Sequence, residues 1–387
     1  MRRHLFILAF FLTSARRHWK WHLGVITIFS VVVFAFASIV FFIQSLSYET
    51  RQVLSSAPDI TMQKIKAGRM VEIPDSLVQS ISEIRGIKSV VPRVWGYYFD
   101  SPTGGVFTLM GSDSLPGNLT LVDGRGIQPG DRGIAVCGTG FLETHYLRLQ
   151  DNLSLFDSDE NLLNFTITGR FRSPSDLLTR DLIILPIEDA RKIVGLKETE
   201  YSDLSIYVFN DDEIENISRK IDRRFPSVRV VTKAEIKSTY EALFGYRGGL
   251  FMFGLLISLF AYMILAWQRA SGISAEAKKE LGILKAVGWE ISDVLLLKFW
   301  EGISISLTAT LIGLIGAYIH DFIFQASLLK PFLVGWSVIY PEFNLLPVVQ
   351  IGSVLLILVL AVVPYIAATM IPSWKAAVID PSEVMHA

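Results

Sequence analysis

Apolar and polar positions divide the 387-residue chain into four long uncharged or nearly uncharged runs and one long mixed stretch. A bilayer crossing needs about 20 mostly apolar residues. Leu23–Ile43 and Leu250–Trp267 carry no charge, and Phe299–Ile319 holds one acid, Glu301, near its start. Pro347–Ile371 is uncharged and interrupted by Pro364. The pattern therefore predicts a membrane α-helical protein with four transmembrane helices. The first run follows basic residues, as a signal peptide does. Its apolar length is about twice the usual 7–15 residues and no small-x-small site follows, so it reads as an uncleaved anchor. Before it, His4–Leu12 (HLFILAFFL) is too short to span. Residues 1–22 read as an interfacial helix, with Arg16, Arg17, Trp19 and Trp21 at headgroup level.

Residues 44–246 show the mixed periodicities of a folded α/β domain between the first two spans, with stalk helices at its ends. Leu77, Val78, Ile81 and Ile84 share one helical face within 75–85, with Gly86 placed to end the helix. Alternating runs at 91–99 and 106–110 flank Ser-Pro-Thr-Gly-Gly and predict a hairpin. A second hairpin pairs 153–156 with 165–171. Residues 204–209, 211–225 and 228–231 predict strand, helix and strand. A stalk helix over 233–246 runs on toward the second span as far as Gly248-Gly249.

Composition agrees with a membrane protein: 51% of residues are hydrophobic and 19% charged, against about 25% charged in soluble domains. A net charge of −1 lacks the basic surface that nucleic-acid binding requires, so no nucleic-acid partner is expected. The single cysteine, Cys137, excludes an intrachain disulfide, and the six histidines form no HExxH motif, so no metal site is expected. GxSxG, HExxH and P-loop patterns are absent, and no catalytic residue is assigned. Asp157, Asp159 and Glu160 lack EF-hand spacing and read as a solvated turn. His145 reads as a packed or surface histidine.

Basic residues near the spans set orientation. Arg2, Arg3, Arg16, Arg17 and Lys20 precede the first span, and Arg269, Lys278, Lys279, Lys285 and Lys298 lie between the second and third. The third and fourth spans are joined by a segment (320–346) with one basic residue, Lys330. Residues 1–22, 268–298 and the tail 372–387 are therefore expected in the cytoplasm, and 44–246 outside. Within the third span Gly302, Ser306, Thr310, Gly313 and Ala317 place small residues on one face. Such a face lets helices approach closely, either within one chain or at a dimer seam. Glu301 reads as an interfacial acid.

The most informative stretch runs from Ser274 to Ile303, two helices broken at Gly288. Leu281, Leu284 and Val287 form an apolar stripe beside Lys278, Lys279 and Lys285. Periodicity alone is equally consistent with a helix on anionic lipid and one docking a cytoplasmic partner. Lys279-Glu280-Leu281-Gly282-Ile283-Leu284-Lys285-Ala286-Val287-Gly288 resembles the R-E-I-G-I-L-[KR]-A-[IL]-G signature of the FtsX-like (MacB-type) ABC permease family. Pro372-Ser-Trp-Lys-Ala-Ala-Val-Ile-Asp380-Pro381-Ser-Glu383-Val-Met resembles that family's ending, and Asp380-Pro381-x-Glu383 is also a capping box. Met110–Asp113 and Gly124-Arg125 lie where the family has G-x-D and G-R elements. The resemblance is strong over 270–387 and weaker over 50–235.

That resemblance implies a dimeric permease, of two copies or of two paralogues, in the bacterial inner membrane. It implies that 279–288 couples the chain to a cytoplasmic ABC ATPase dimer. MacB-type chains can carry their own ATPase; this one has no Walker motif, so ATP and magnesium would bind a partner chain, with no cofactor here. ATP-driven closure would move the outer domain mechanically, to export or extract lipoprotein, lipid, peptide or drug, with a periplasmic adaptor or carrier as a further partner. The alternative the family offers is a non-transporting activator of a cell-wall hydrolase.

Overall fold

The structure is a computed structural model that describes residues 2–17, 19–117, 119–172, 180–244, 249–271, 283–284, 287–331 and 344–378. The chain opens with two helices, α1 (Arg2–Arg17) and α2 (Trp19–Ser55). Helix α2 exceeds the predicted apolar run at both ends, and at its C-terminal end Gln44–Ser55 continue without a breaker. The chain divides into two units, and the boundary falls inside α2, between Leu46 and Ser47. One unit comprises Met1–Leu46, Leu243–Lys330 and Leu345–Ala387. The other comprises Ser47–Ala242 with Pro331–Asn344.

The second unit is the mixed α/β domain. Its strands are β1 (Ile60–Lys66), β2 (Arg69–Val71), β3 (Ile73–Pro74), β4 (Ile87–Asp100), β5 (Gly105–Gly111), β6 (Thr120–Gly124), β7 (Ile134–Gly138), β8 (Asn152–Phe156), β9 (Leu162–Arg172), β10 (Leu182–Leu185), β11 (Glu200–Tyr201), β12 (Asp203–Val208) and β13 (Val228–Thr232). Its helices are α3 (Asp75–Ser82), α4 (Thr139–His145), α5 (Ile187–Val194), α6 (Ile214–Arg224) and α7 (Lys233–Phe244). The main sheet runs β13-β1-β12-β4-β5-β10-β7-β9-β6, with β2 on β1 and β8 on β9.

Both predicted hairpins are present. Strands β4 and β5 pair from Val94↔Gly111 to Asp100↔Gly105, and β8 pairs β9 from Asn152↔Thr166 to Phe156↔Leu162. The predicted strand–helix–strand unit is β12-α6-β13. Its strands are not neighbours, because β1 lies between them and runs antiparallel to both. Helices α3 and α6 close one core, bringing Ile81, Ile84, Ile217 and Ile221 onto Ile60, Met62, Leu204 and Ile206. A second core joins Phe107, Leu109, Cys137, Phe141, Ile167 and Ile183. The predicted stalk is α7, which ends at Phe244; its continuation through 245–248 lies outside the described residues.

The remaining helices are α8 (Gly249–Ser271), α9 (Ile291–Tyr318) and α10 (Ile351–Val378). A π-helical turn, Ile319–Ile323, extends α9. Among the described residues three helices are long and apolar enough to cross a membrane: α2, α9 through Ile323, and α10. The described apolar stretch of α8, Phe251–Ile264, is shorter. Three of the four predicted spans thus meet that measure among the described residues. Helix α10 begins at Ile351, later than the predicted 347. It continues through both Pro364 and Pro372 to Val378, so Pro364 does not interrupt it. In an apolar helix bundle, neighbouring groups re-satisfy the carbonyls a proline frees.

Phe29, Val33, Phe36, Ala37 and Val40 recur on α2 at helical spacing and form the stripe around which α8, α9 and α10 pack. Phe29 stacks on Tyr365 at 5.1 Å between ring centres and meets the edge of Tyr262 at 5.3 Å. On the opposite faces Ile28, Val31, Phe253, Phe260 and Ile312 are exposed, the distribution expected where lipid is the solvent.

Candidate functional site

The segment singled out in the sequence is described at Ile283, Leu284 and from Val287 onward. Lys279, Glu280, Leu281, Gly282, Lys285 and Ala286 lie outside the described residues. The described part is a helix end. The Val287 amide donates to the Ile283 carbonyl and the Trp289 amide to the Leu284 carbonyl, both at 3.1 Å. Gly288 between them has φ +98°. A six-residue hydrogen bond spanning a left-handed glycine is the Schellman stop, which satisfies a terminal carbonyl and normally adds an apolar contact across the turn. Here Leu284 and Trp289 supply that contact, both packing onto one small core.

The core belongs to α1 and α9. Ile7 and Phe11 of α1 bury against Leu297 of α9, and Phe10 meets Trp289 with ring centres 5.1 Å apart. The polar rim is equally specific. Glu290 caps α9, and the Asp293 carboxylate accepts from the Glu290 amide at 3.1 Å, closing a capping box. Arg3 donates to Asp293 and to Ser292, each at 2.6 Å. Helix α1, expected to lie along the lipid interface, is thereby fastened to the first turns of α9. Sequence periodicity could show that α1 is amphipathic, but not what its apolar face covers.

Two side chains of the segment stay outside this arrangement. Ile283 is 54% exposed and Val287 76% exposed, whereas Leu284 is half-buried. The predicted stripe of Leu281, Leu284 and Val287 is therefore divided: Leu284 packs inward and Val287 outward. Ile283, one position before Leu284, joins Val287 on the open side.

All five small residues of the third span are buried within the chain. A methyl on Gly302 would meet Thr369 Oγ1 of α10 at 3.0 Å. One on Gly313 would meet Val33 Cβ of α2 at 2.7 Å and the Ser30 carbonyl oxygen at 2.9 Å. Ser306 and Thr310 turn their hydroxyls back to the helix, donating to the carbonyls of Gly302 and Ser306 at 2.7 Å. Ala317 lies in the core around Phe29. Glu301 is buried and paired with Lys298 at 2.6 Å, a contact within the first turns of α9. At the other terminus Pro372 is buried inside α10, while Asp380, Pro381 and Glu383 lie outside the described residues.

The remaining candidates have local structural roles. His145 faces the Phe141 carbonyl at 3.0 Å and Asp100 at 3.2 Å, and its ring packs on Phe141. Burial pushes Asp100 upward, but hydrogen bonds from Thr103 and His145 outweigh it and hold the carboxyl below its ordinary value. Asp157 accepts from the amides of Asp159 and Asn161, an Asx turn. Gly111 and Gly124 mark close backbone approaches. A methyl at Gly111 would sit 2.9 Å from Ala190 Cβ, and one at Gly124 would sit 2.1 Å from the Thr168 carbonyl oxygen. Arg125 is held by Asp131 at 2.6 Å. Among the described residues no cluster of three or more His, Cys, Asp or Glu is assembled to hold a metal.

One comparison with known proteins falls on the same region. Residues 250–381 match the FtsX-like permease C-terminal family. An uncharacterized ABC transporter permease of Methanocaldococcus jannaschii is 24% identical over 214 residues, covering 50% of each chain, so this chain spans about half the length of that relative. The extracellular domain of the noncanonic ABC-type transporter YknZ from Gram-positive bacteria aligns with 45% of this chain and 99% of its own, with a TM-score of 0.32 and 13% identity. The periplasmic region of MacB from Actinobacillus actinomycetemcomitans aligns with 47% of this chain and 92% of its own, with a TM-score of 0.33 and 12% identity. Helices α9 and α10, all of α8 but Gly249, and the glycine-stopped segment between α8 and α9 fall within the matched residues. The similarity to the FtsX-like permease C-terminal family thus covers residues 250–381 of the chain.

Proposed function

We propose that this chain is the permease subunit of an ABC transporter, and that ATP is hydrolysed by a separate cytoplasmic chain docking on its 279–288 segment. One observation carries the reading: Ile283 and Val287 are exposed apolar side chains on a helix end that Gly288 stops and α1 braces, inside the family-matched region. An apolar pair held on a rigid support, with its neighbour Leu284 turned inward, suits a socket in a protein partner. Four spans, cytoplasmic termini and an inner-membrane location complete the proposal, with α8 as the second span. In this reading two permease chains share one ATPase dimer. Closure of the ATPases pushes on the braced segment, and the push reaches the α/β domain through the helices that lead into it. The work done there is export or extraction of a lipid, lipoprotein, peptide or drug, without a catalytic site on this chain.

Co-purification of the full-length permease with its ATPase tests the docking. Val287→Asp would place an unpaired charge in the contact, where breaking the match costs about 3–5 kcal/mol, a loss of at least a hundredfold in affinity. The variant should insert normally, lose the ATPase on purification and fail to stimulate ATP hydrolysis. Wild-type yield of the complex together with wild-type stimulation would overturn the assignment.

A further inference from the structure

The end of α9 carries a buried ionisable pair that the permease reading does not use. In the π-helical turn, His320 and Asp321 are both buried, Asp321 at 0% exposure. The His320 carbonyl accepts from the Ala326 amide at 2.9 Å, and its ring Nε2 lies 3.2 Å from the Leu328 amide nitrogen. A backbone amide can only donate, so Nε2 is the acceptor and the ring proton sits on Nδ1. From there it is donated to Asp321 Oδ1 at 2.7 Å, with Ser38 Oγ at 3.3 Å on the same nitrogen. The tautomer is thus fixed by what each nitrogen faces.

Asp321 is only half satisfied. Its Oδ1 accepts from His320, whereas Oδ2 is fully enclosed with no hydrogen-bond partner among the described residues. The surroundings are apolar: Phe34 meets the His320 ring edge-on at 5.5 Å, and Phe41 stacks on Phe322. A buried carboxylate with one bare oxygen is costly. Adding a proton at that oxygen removes the charge at a lone pair that no other described group occupies. The other side-chain nitrogen and oxygen atoms of the pair are engaged. Of the groups facing it, Ser38 and Phe34 come from α2, neither of which titrates in the accessible range. The reversal 324–330 contributes Lys330 as its charged side chain. π-Helical turns cluster at functional sites.

We infer that the His320–Asp321 pair is a binding site for one proton per chain, taken up at Asp321 Oδ2, whose occupancy is relayed through the His320 ring to the reversal at 324–330. The relay follows from polarisation. When Asp321 gives up its proton, the carboxylate draws more strongly on the Nδ1 proton, and Nε2 becomes a better acceptor for the Leu328 amide. The latch on the reversal is tighter with the site empty and looser with it filled. This site stands apart from the ATPase-docking segment, and its test needs no ATPase.

Infrared difference spectra of the purified full-length protein in lipid nanodiscs, recorded across a pH titration, read the proton directly. The expected result is the carbonyl stretch of a protonated carboxylic acid that titrates in the wild type and is lost in Asp321→Asn. Hydrogen exchange at 324–330, corrected for the intrinsic pH dependence of exchange, reads the relay. Protection of the Leu328 amide should rise about three- to tenfold as the acid band disappears, up to the worth of one hydrogen bond, and should show no such step in Asp321→Asn or His320→Gln. Absence of the acid band in the wild type overturns the site without recourse to any variant, as does its persistence in Asp321→Asn. A band that responds to sodium at fixed pH overturns it in favour of a cation site. A titrating band with no matching change at Leu328 refutes the relay.

Discussion

Gly313 offers the sharpest test of how the helices pack. A methyl group there would stand 2.7 Å from Val33 Cβ, 2.8 Å from Val33 Cγ1 and 2.9 Å from the Ser30 carbonyl oxygen. Carbon atoms rest at about 3.5–4.0 Å, so Gly313→Ala forces α9 and α2 apart by close to 1 Å. Rotating Val33 cannot relieve it, since Cβ is fixed to the backbone and the Ser30 oxygen belongs to it. Nor can α9 slide freely, because Gly302 holds it against Thr369 and Ile366 of α10. Overpacking of this kind costs about 1–3 kcal/mol. Gly352 is the matched control: a methyl there meets nothing within 4 Å, and Gly352→Ala should be neutral or stabilising by up to about 1 kcal/mol through helix propensity. Thermal unfolding of the purified protein in detergent compares the two. Gly313→Ala should melt clearly below the wild type and Gly352→Ala at or above it. If Gly313→Ala melts with the wild type while its dimer fraction drops, the small-residue face is a seam between chains, and the packing described above is wrong.

Two further outcomes follow from other parts of the chain. If residues 270–297 are cytoplasmic and 56–235 external, an impermeant thiol reagent added to intact cells should label Ser158→Cys and spare Lys279→Cys; the reverse pattern refutes the orientation. Cys137 adds little background, since it is fully buried and burial pushes its thiol far up. In the α/β domain, burial raises Asp181 above the ordinary carboxylate value, partly offset by the Thr108 hydroxyl at 2.9 Å. The folded form then keeps a proton that the unfolded chain has released above about pH 4, so Asp181 makes stability fall as pH rises through that window. Asp181→Asn should flatten that slope and raise the melting temperature at neutral pH; an unchanged slope would contradict the assignment.

The parts of the fold that could be read from the sequence are those with a period or a punctuation mark. The β4–β5 hairpin announced itself by alternation around Ser-Pro-Thr-Gly-Gly, and α6 by Ile214, Ile217 and Ile221 at helical spacing. Strands β7 and β10 did not, because every residue in them is buried and a short run such as Leu-Ile-Ile-Leu has no period to read. Strand β1 carries an alternation, but its place between β12 and β13 is a long-range choice that local patterning does not encode. The same division holds at the candidate site. Gly288 was legible as a helix stop from its position, and its φ of +98° with the Schellman bond gives the physical reason. The inward turn of Leu284 was not, since it depends on Ile7, Phe10 and Phe11 arriving from the other end of the chain. Likewise the His320–Asp321 pair is two adjacent letters until Ser38 and the Leu328 amide are brought beside it.

The docking of a separate ATPase on Ile283 and Val287 is the claim on which the functional account rests. A photo-crosslinking amino acid placed singly at positions 283, 284 and 287 in the full-length permease, irradiated in membranes that contain the ATPase, tests it most directly. Adducts with the ATPase polypeptide are expected from 283 and 287, whose side chains are exposed, and not from 284, which packs toward α1. Adducts from 283 and 287 with lipid alone, with none to the ATPase, would contradict the account and make the segment a membrane-surface helix.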